Sequence, residues 1–393
     1  MNKVLVLSCG TGGGHNSAAK AVQEALLNME VQADFLEYLD IINPKIKDKV
    51  NNLYLKSTIG EGQVFKHVYH LGELYEKTKL KSPVYGLNAF SKKKLYRYIM
   101  ENKYDYVVTT HLFAAEALTA LKKEHNIYFM AIATDYVCIP FWKETNPDYF
   151  VIPHKDLVKN FLDVGIKNEK LLPIGIPVAE KFSVKYDKLE CKRELGLNTD
   201  EKYVLLLNGS MGFGNVNGML KKLMSKIKDV NFIVSCGNNK KLLDNLNETY
   251  KENSRVISLA YTNDLNKYIA SSEVILTKPG GLTTTEIATM RKPLIHTMPI
   301  PGCENYNAAF FEDRKMSIKC ENIEEVVTAT KELLVNEKLQ EEMVNNQKKY
   351  INIDNSNKIA NIVINEIEKG KNYEGMCRGR KWAYNTKLGT ARI

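Results

Sequence analysis

Short apolar runs alternate along the chain with stretches whose apolar residues recur at helical spacing. KVLVL, VQADFLEYL, YDYVVTT, IYFMAIATD, YFVIP and KLLPIGIP form a first series of strand candidates, with helical patterns over residues 17–28, 114–125 and 155–164 between several of them. After Pro177 the polar, lysine-rich EKFSVKYDKLECKRELGLNTDEK breaks this rhythm and reads as a linker with a short helix. A second series follows: YVLLLNGSMGFGN, VNFIVSCGNN, RVISLAY, SEVILTKPGG and KPLIHTMP. Strands alternating with helices predict an α/β protein with parallel sheets, and the interruption predicts two Rossmann-like domains joined near residues 178–185. The expected division is 1–180, 181–370 with closing helices over 323–369, and a basic tail over 371–393. Ligands of such sheets gather at the carboxyl ends of the strands, here facing an interdomain cleft.

Those strand ends carry the unusual residues. SCGTGGGHNSAAKAV, residues 8–22, runs from the first strand through a glycine loop into a helix. Glycine permits close backbone approach, and a helix N-terminus offers free N–H groups and a positive dipole end to an anion. The loop is neither of two common phosphate fingerprints. It ends Gly14-His15-Asn16 instead of Gly-Lys-Ser/Thr, and His15 stands where a dinucleotide fold needs its third glycine. His15 is therefore a titratable donor at a positively charged helix start, poised to touch substrate.

In the second series NGSMGFG, with Gly209 and Ser210, is another glycine-rich loop after a strand. Tyr261 ends the strand RVISLAY. TKPGGLTTTEIATM places Lys278, Gly280 and Gly281 at a strand end and Thr283 at the start of the helix that follows. Glu286 lies about 1.7 helical turns beyond Gly280, where it can accept hydrogen bonds from a vicinal diol such as ribose. MPIPGCENYNAAFFEDR sets Glu304, Asn305 and Asn307 after a Pro-Gly pair, polar groups suited to a hydroxyl-rich ligand. In the first series AIATDYVCIPFW puts Asp135 at a strand end among apolar residues, a candidate general base.

Composition narrows the setting. The 393 residues are 44% hydrophobic and 26% charged, which marks a globular chain. No apolar run reaches the length of a bilayer span, and Met1-Asn2-Lys3 leads straight into a strand, so a cytosolic location is expected. Seven cysteines without a C-x-x-C pair argue against a disulfide framework or a zinc knuckle, and Cys9, Cys138 and Cys236 read as core thiols. The net charge of +9 is segregated: residues 45–103 carry +8 and residues 371–393 carry +5, leaving the rest at −4. Such segregation suggests an anionic partner surface. The first basic segment interleaves aromatic residues with lysine, including Phe90, Lys92, Lys93, Lys94, Tyr96 and Arg97, the composition of an interfacial region. With no nucleic-acid motif beside it, anionic membrane lipid is the expected partner and nucleic acid is not.

KPGGLTTTE, followed by P-G-x-E-x-x-N-A-x-F-F-E-D-R and preceded by an N-terminal GGGH, resembles the family 28 glycosyltransferases, specifically the diacylglycerol sugar transferases: bacterial processive glucosyltransferases and plant monogalactosyldiacylglycerol synthases. The resemblance spans most of residues 3–368. It implies a GT-B fold of two Rossmann-like parallel-sheet domains with an interdomain cleft, a UDP-hexose donor in the C-terminal domain, and a diacylglycerol acceptor held by the N-terminal one. By motif match Glu286 would hold the ribose hydroxyls, Gly280 and Gly281 the diphosphate, and Glu304 with Asn307 the sugar. Cys303 stands where relatives usually carry glutamine, which bears on the hexose. The GGGH loop, with Gly14 and His15, would face the donor across the cleft.

No D-x-D occurs in the chain, so helix dipoles and backbone N–H groups are the expected substitute for a metal at the diphosphate, and no cofactor is implied. The expectation is an inverting UDP-hexose transferase, UDP-glucose favoured over UDP-galactose, peripheral on the inner face of the cell membrane. The alternatives are N-acetylglucosamine transfer to a lipid-linked peptidoglycan precursor, UDP-sugar epimerisation, and a non-catalytic anionic-lipid-binding protein.

Overall fold

The computed structural model describes residues 2–10, 13–42, 81–207 and 215–377. Gly209, Ser210 and most of the basic segment and tail lie outside these residues. The chain builds two six-stranded sheets, all of whose pairings are parallel. The first contains β1 (Lys3–Ser8), β2 (Gln32–Glu37), β3 (Tyr106–Thr109), β4 (Phe129–Ile132), β5 (Tyr149–Val151) and β6 (Leu171–Leu172), in the order β2-β1-β3-β4-β5-β6. The second contains β7 (Tyr203–Leu207), β8 (Asn231–Ser235), β9 (Val256–Leu259), β10 (Val274–Thr277), β11 (Leu294–Thr297) and β12 (Ile318–Cys320), in the order β12-β11-β10-β7-β8-β9. Central strands such as β1, β7 and β10 are continuous Val/Leu/Ile-rich runs because helices cover both of their faces.

The first domain carries α1 (Gly13–Asn28), α2 (Tyr38–Ile42), α3 (Pro83–Phe90), α4 (Lys92–Glu101), α5 (Leu112–Lys122) and α6 (Val158–Asp163). α7 (Lys188–Glu194) lies in the linker. The second domain carries α8 (Val216–Lys226), α9 (Lys240–Thr249), α10 (Leu265–Ser271), α11 (Gly281–Thr289), α12 (Cys303–Glu312), α13 (Ile323–Val335) and α14 (Glu337–Tyr350).

The last helix, α15 (Asn355–Cys377), corrects the expected division at residue 181. It crosses back and packs on the first domain. Ile359, Ala360, Val363 and Ile367 are buried in one cluster with Val4, Val6, Val22, Leu26, Met130 and Ile132. Each large aliphatic side chain buried there contributes about 1.5–3 kcal/mol, enough to hold the helix to that sheet. The crossing is pinned by Asn355 Nδ2, which donates to the Ile176 carbonyl at 3.0 Å, and by Ser356 Oγ, which donates to that of Val178 at 2.7 Å. Gly175, at φ +119°, makes room: a Cβ there would lie 2.3 Å from the Asn355 amide nitrogen.

Each sheet reverses its strand order once, between β1 and β3 in the first and between β7 and β10 in the second. Crevices open at such switch points, outside the carboxyl ends of the strands. Of the loops that end there the sequence singled out those after β1, β7 and β10, and it singled out the loop after β4, one strand further over, but not the loop after β3.

Candidate active site

Two helix N-termini meet at the seam between the domains. α1 starts at Gly13 just past the end of β1, and α11 starts at Gly281 after Gly280, an extended N-cap that supplies no side-chain cap. Neither has an acidic residue in its own first turn, and the carboxyl nearest the start of α1 comes from the end of β2, where Glu37 Oε1 accepts from Asn16 Nδ2 at 2.9 Å. The approach is close. A Cβ on Gly14 would lie 3.6 Å from Leu282 Cβ, and one on Gly281 would lie 2.0 Å from the Thr134 carbonyl oxygen. Gly281 is therefore glycine because the backbone of the β4 loop rests directly on it, whatever else its N–H binds. Thr283 sits half-buried in the same first turn.

His15, in the first turn of α1, is fixed by the first domain. Its Nδ1 lies 2.9 Å from the Thr110 carbonyl and 3.0 Å from Thr134 Oγ1, while Thr110 Oγ1 donates to the His15 carbonyl. A carbonyl can only accept, so Nδ1 carries the proton and Nε2 is the base nitrogen of the neutral ring. Burial holds the imidazole below its ordinary pKa, with the nearby Asp135 carboxylate opposing, so the ring is neutral near pH 7. The ring of His111 packs edge-on against it at 4.8 Å and is held neutral by burial as well.

Asp135 follows β4 and faces the second domain. Its Oδ1 accepts from Asn307 Nδ2 at 2.9 Å. That amide is wholly buried on α12 and also donates to the Pro279 carbonyl at 3.0 Å and accepts from the Tyr136 N–H at 2.6 Å. Asn307, expected on the sugar, is thus committed to protein partners across the seam. Tyr136 completes the contact: its hydroxyl lies 2.8 Å from Thr285 Oγ1, and its ring packs against Phe310 and Phe311.

On the second-domain side Glu286 is 8% exposed, and among the described residues nothing is hydrogen-bonded to its carboxyl. Burial pushes its pKa up to about 8, with Lys181 of the linker opposing. Glu304, in the first turn of α12, accepts from the Ile300 N–H at 2.8 Å. Burial raises its pKa, Lys278 and the Ile300 N–H oppose, and Asp135 adds to the rise. Lys278 and Asn305 are half-buried beside this turn, as is Cys303. Burial is the larger cause holding the Cys303 thiol above its ordinary pKa, and Asp135 and Glu304 both add to it. Tyr261 stands apart, 66% exposed beyond the edge strand β9. The seam residues that sequence reading missed are Thr110, His111, Thr134 and Tyr136. All four stand in or just after YVVTTH and AIATDY, the ends of β3 and β4, so strand-end position was the available signal.

The expected membrane-facing residues fall on α3 and α4. Leu87 and Phe90, one turn apart, are 77% and 91% exposed. Of the four cations, Lys92 pairs with Glu124 and Lys94 donates to the Ile42 carbonyl, whereas Lys93 and Arg97 stand exposed. Tyr96 stacks on His125, and Leu95 and Ile99 anchor α4 in the core.

Residues 15–178 match the model of monogalactosyldiacylglycerol (MGDG) synthase, and residues 203–363 match that of the glycosyltransferase family 28 C-terminal domain. A processive diacylglycerol beta-glucosyltransferase of Bacillus mycoides (strain KBAB4) is 28% identical over 338 residues, covering 84% of this chain and 85% of that one. One from Staphylococcus haemolyticus (strain JCSC1435) is 26% identical over 354 residues, 87% of each. Among solved structures, Acinetobacter baumannii MurG superposes with a TM-score of 0.63 at 17% identity, covering 93% of this chain and 100% of that one. The S. aureus MnaA–UDP structure does so with 0.62 at 15% identity, covering 95% and 97%. Two parallel-sheet domains meeting at a seam are the GT-B fold, and the family match makes the chain a glycosyltransferase. The chain belongs to glycosyltransferase family 28, on the branch of the diacylglycerol glucosyltransferases and MGDG synthases.

Proposed function

We propose that the protein transfers a hexose from a UDP-hexose to diacylglycerol with inversion at the anomeric carbon, at the cytosolic face of a membrane. The observation that carries this reading is the convergence, at one seam, of two helix N-termini, a carboxyl only 8% exposed with no hydrogen-bond partner among the described residues, and an acidic side chain from the opposite domain.

Glu286 is the acceptor for the ribose hydroxyls, since a buried carboxyl without a partner is costly until hydroxyl donors reach it. The diphosphate lies between the N-termini of α1 and α11, near Lys278. Their N–H groups and dipoles take up the charge that forms on the leaving phosphate oxygen, so no metal is needed there. Asp135 takes the proton of the diacylglycerol hydroxyl as its oxygen bonds to the anomeric carbon and the bond from that carbon to UDP breaks. His15, neutral and fixed through Nδ1, offers Nε2 as a hydrogen-bond acceptor beside it. Glu304 and Asn305 face the hexose.

Glucose is favoured as the hexose by the names of the relatives, and stepwise addition of further sugars by the word processive in them. No described helix is long and apolar enough to cross a membrane. The exposed apolar pair on α3, beside Lys93 and Arg97, supports peripheral docking on anionic lipid instead.

The test is transfer by the purified protein with UDP-glucose and UDP-galactose on diacylglycerol vesicles, read by mass spectrometry. A mono- or diglucosyl lipid supports the proposal. Failure to glycosylate diacylglycerol, with transfer to a lipid-linked peptidoglycan precursor or epimerisation of a UDP-sugar instead, would replace it.

A further inference from the structure

The domain seam closes on the Asn307 amide. Both of its protons are used, one on Asp135 Oδ1 and one on the Pro279 carbonyl, and its oxygen takes the Tyr136 N–H. One planar group therefore ties three things together: the carboxylate of Asp135, the main chain that follows it, and the loop that leads into the N-terminus of α11. Since the group is fully buried, water cannot substitute for any of these bonds, and losing it leaves a carbonyl and an N–H without partners. The same seam is held independently by the Thr134 carbonyl on Gly281, the Tyr136 hydroxyl on Thr285, the Tyr136 ring on Phe310 and Phe311, and the Arg314–Asp156 ion pair. The domains thus have other means of meeting. What Asn307 alone supplies is the orientation of Asp135, whose other oxygen, Oδ2, has no hydrogen-bond partner among the described residues.

We infer that Asn307 is a positioning residue rather than a ligand of the sugar. It holds Oδ1 of Asp135 so that Oδ2 receives the acceptor proton, with the Pro279 carbonyl and the Tyr136 N–H fixing the plane of the amide that does so. This inference rests on Asp135 being the base.

The experiment is a double-mutant cycle. Asn307→Ala and Asn307→Asp are made alone and with Asp135→Asn in the full chain, with hexosyl transfer and UDP calorimetry as readouts. Asn307→Asp keeps the size and the acceptor for the Tyr136 N–H but sets an oxygen against two acceptors, Asp135 Oδ1 and the Pro279 carbonyl, so unfolding of both variants is measured beside turnover and whichever keeps the wild-type fold carries the test. Each single Asn307 variant is expected to lower kcat by about 10- to 100-fold with donor KM and UDP affinity changed less than about threefold. Added to Asp135→Asn, each should cost less than about twofold more, because the group it orients is gone. A tenfold rise in donor KM with kcat retained would return Asn307 to the sugar and overturn the inference. Loss of the same factor on top of an already crippled Asp135→Asn would overturn it while leaving the base in place. Turnover of Asp135→Asn near the wild-type rate would remove the base itself, and the positioning role with it.

Discussion

Replacing Glu286 by glutamine separates what this carboxyl does for binding from what its burial costs the fold. The side chain is 8% exposed on α11, and its pKa lies at about 8 against an ordinary 4.5 because burial disfavours the ion. At about 1.4 kcal/mol per pH unit, ionising it in the folded protein costs on the order of 5 kcal/mol more than in water. Between pH 4.5 and pH 8 the folded chain keeps a proton that the unfolded chain has released. Wild-type stability relative to Glu286→Gln must then be greatest below pH 4.5, fall by up to about 1.4 kcal/mol per pH unit through that window, and level off above pH 8. Denaturant unfolding of both proteins at several values from about pH 5.5 to pH 9 measures the difference. Ligand binding draws on the same proton. If ribose hydroxyls donate to the ionised carboxylate, UDP must displace it, and at pH 7 most of a proton leaves per UDP bound. Calorimetry in buffers of different ionisation enthalpy reads this release directly. Glu286→Gln should release none and bind UDP about 10- to 100-fold more weakly. A stability difference that does not change with pH, or equal proton release by both proteins, would take Glu286 out of the donor site.

Three other perturbations address the remaining parts of the site. Asp135→Asn should lower kcat by about 100-fold or more with UDP affinity near wild type, and near-normal turnover would pass the proton to another group, His15 first. Gly281→Ala forces a Cβ to within 2.0 Å of the Thr134 carbonyl, so the domains must part. At about 1–3 kcal/mol for such overpacking, kcat should fall about tenfold and UDP affinity should fall with it, because the diphosphate is placed between the two helix starts that part, and unchanged kcat would mean that the seam need not close. On the membrane side, Leu87→Ser with Phe90→Ser should weaken co-sedimentation with neutral vesicles. Lys93→Glu with Arg97→Glu should remove the preference for anionic ones at about 1 kcal/mol per charge. Equal co-sedimentation of all forms at low salt would make this face an ordinary solvated surface.

What was legible in the chain was local. Strand runs such as KVLVL and YVLLL, the glycine loops after them and the acidic residues at fixed offsets follow from chemistry within a few residues, and the two sheets form where the pattern puts them. β12 escaped notice because it is a three-residue edge strand paired only to β11. The long-range placements were not legible. Ile359, Val363 and Ile367 recur at helical spacing, but nothing local says that they cover the first sheet instead of the second. Gly281 reads as a phosphate-loop glycine, and its contact with the Thr134 carbonyl lies 147 positions away in sequence. Asn307 reads as a free amide for the same reason: its three partners come from two other loops.

The electrostatics of the seam resolve an apparent conflict between site and substrate. Asp135, Glu286 and Glu304 place three acidic side chains around a proposed donor that itself carries a diphosphate, and three carboxylates would repel it. Burial raises the pKa of both Glu286 and Glu304, so the seam holds less negative charge than its residue count implies. Each has a cation within electrostatic reach, Lys181 for Glu286 and Lys278 for Glu304, and the two helix N-termini add fixed positive ends that neither pH nor a metal is required to supply. Asp135 differs in kind. It is contributed by the opposite domain, half-exposed, with one oxygen tied to the Asn307 amide. The carboxyl groups therefore have different roles. In the proposed reaction those on the second domain accept from hydroxyl donors of the UDP-hexose, and the one on the first domain is held at the seam, where an acceptor hydroxyl and a sugar carbon would meet only when both domains are in place.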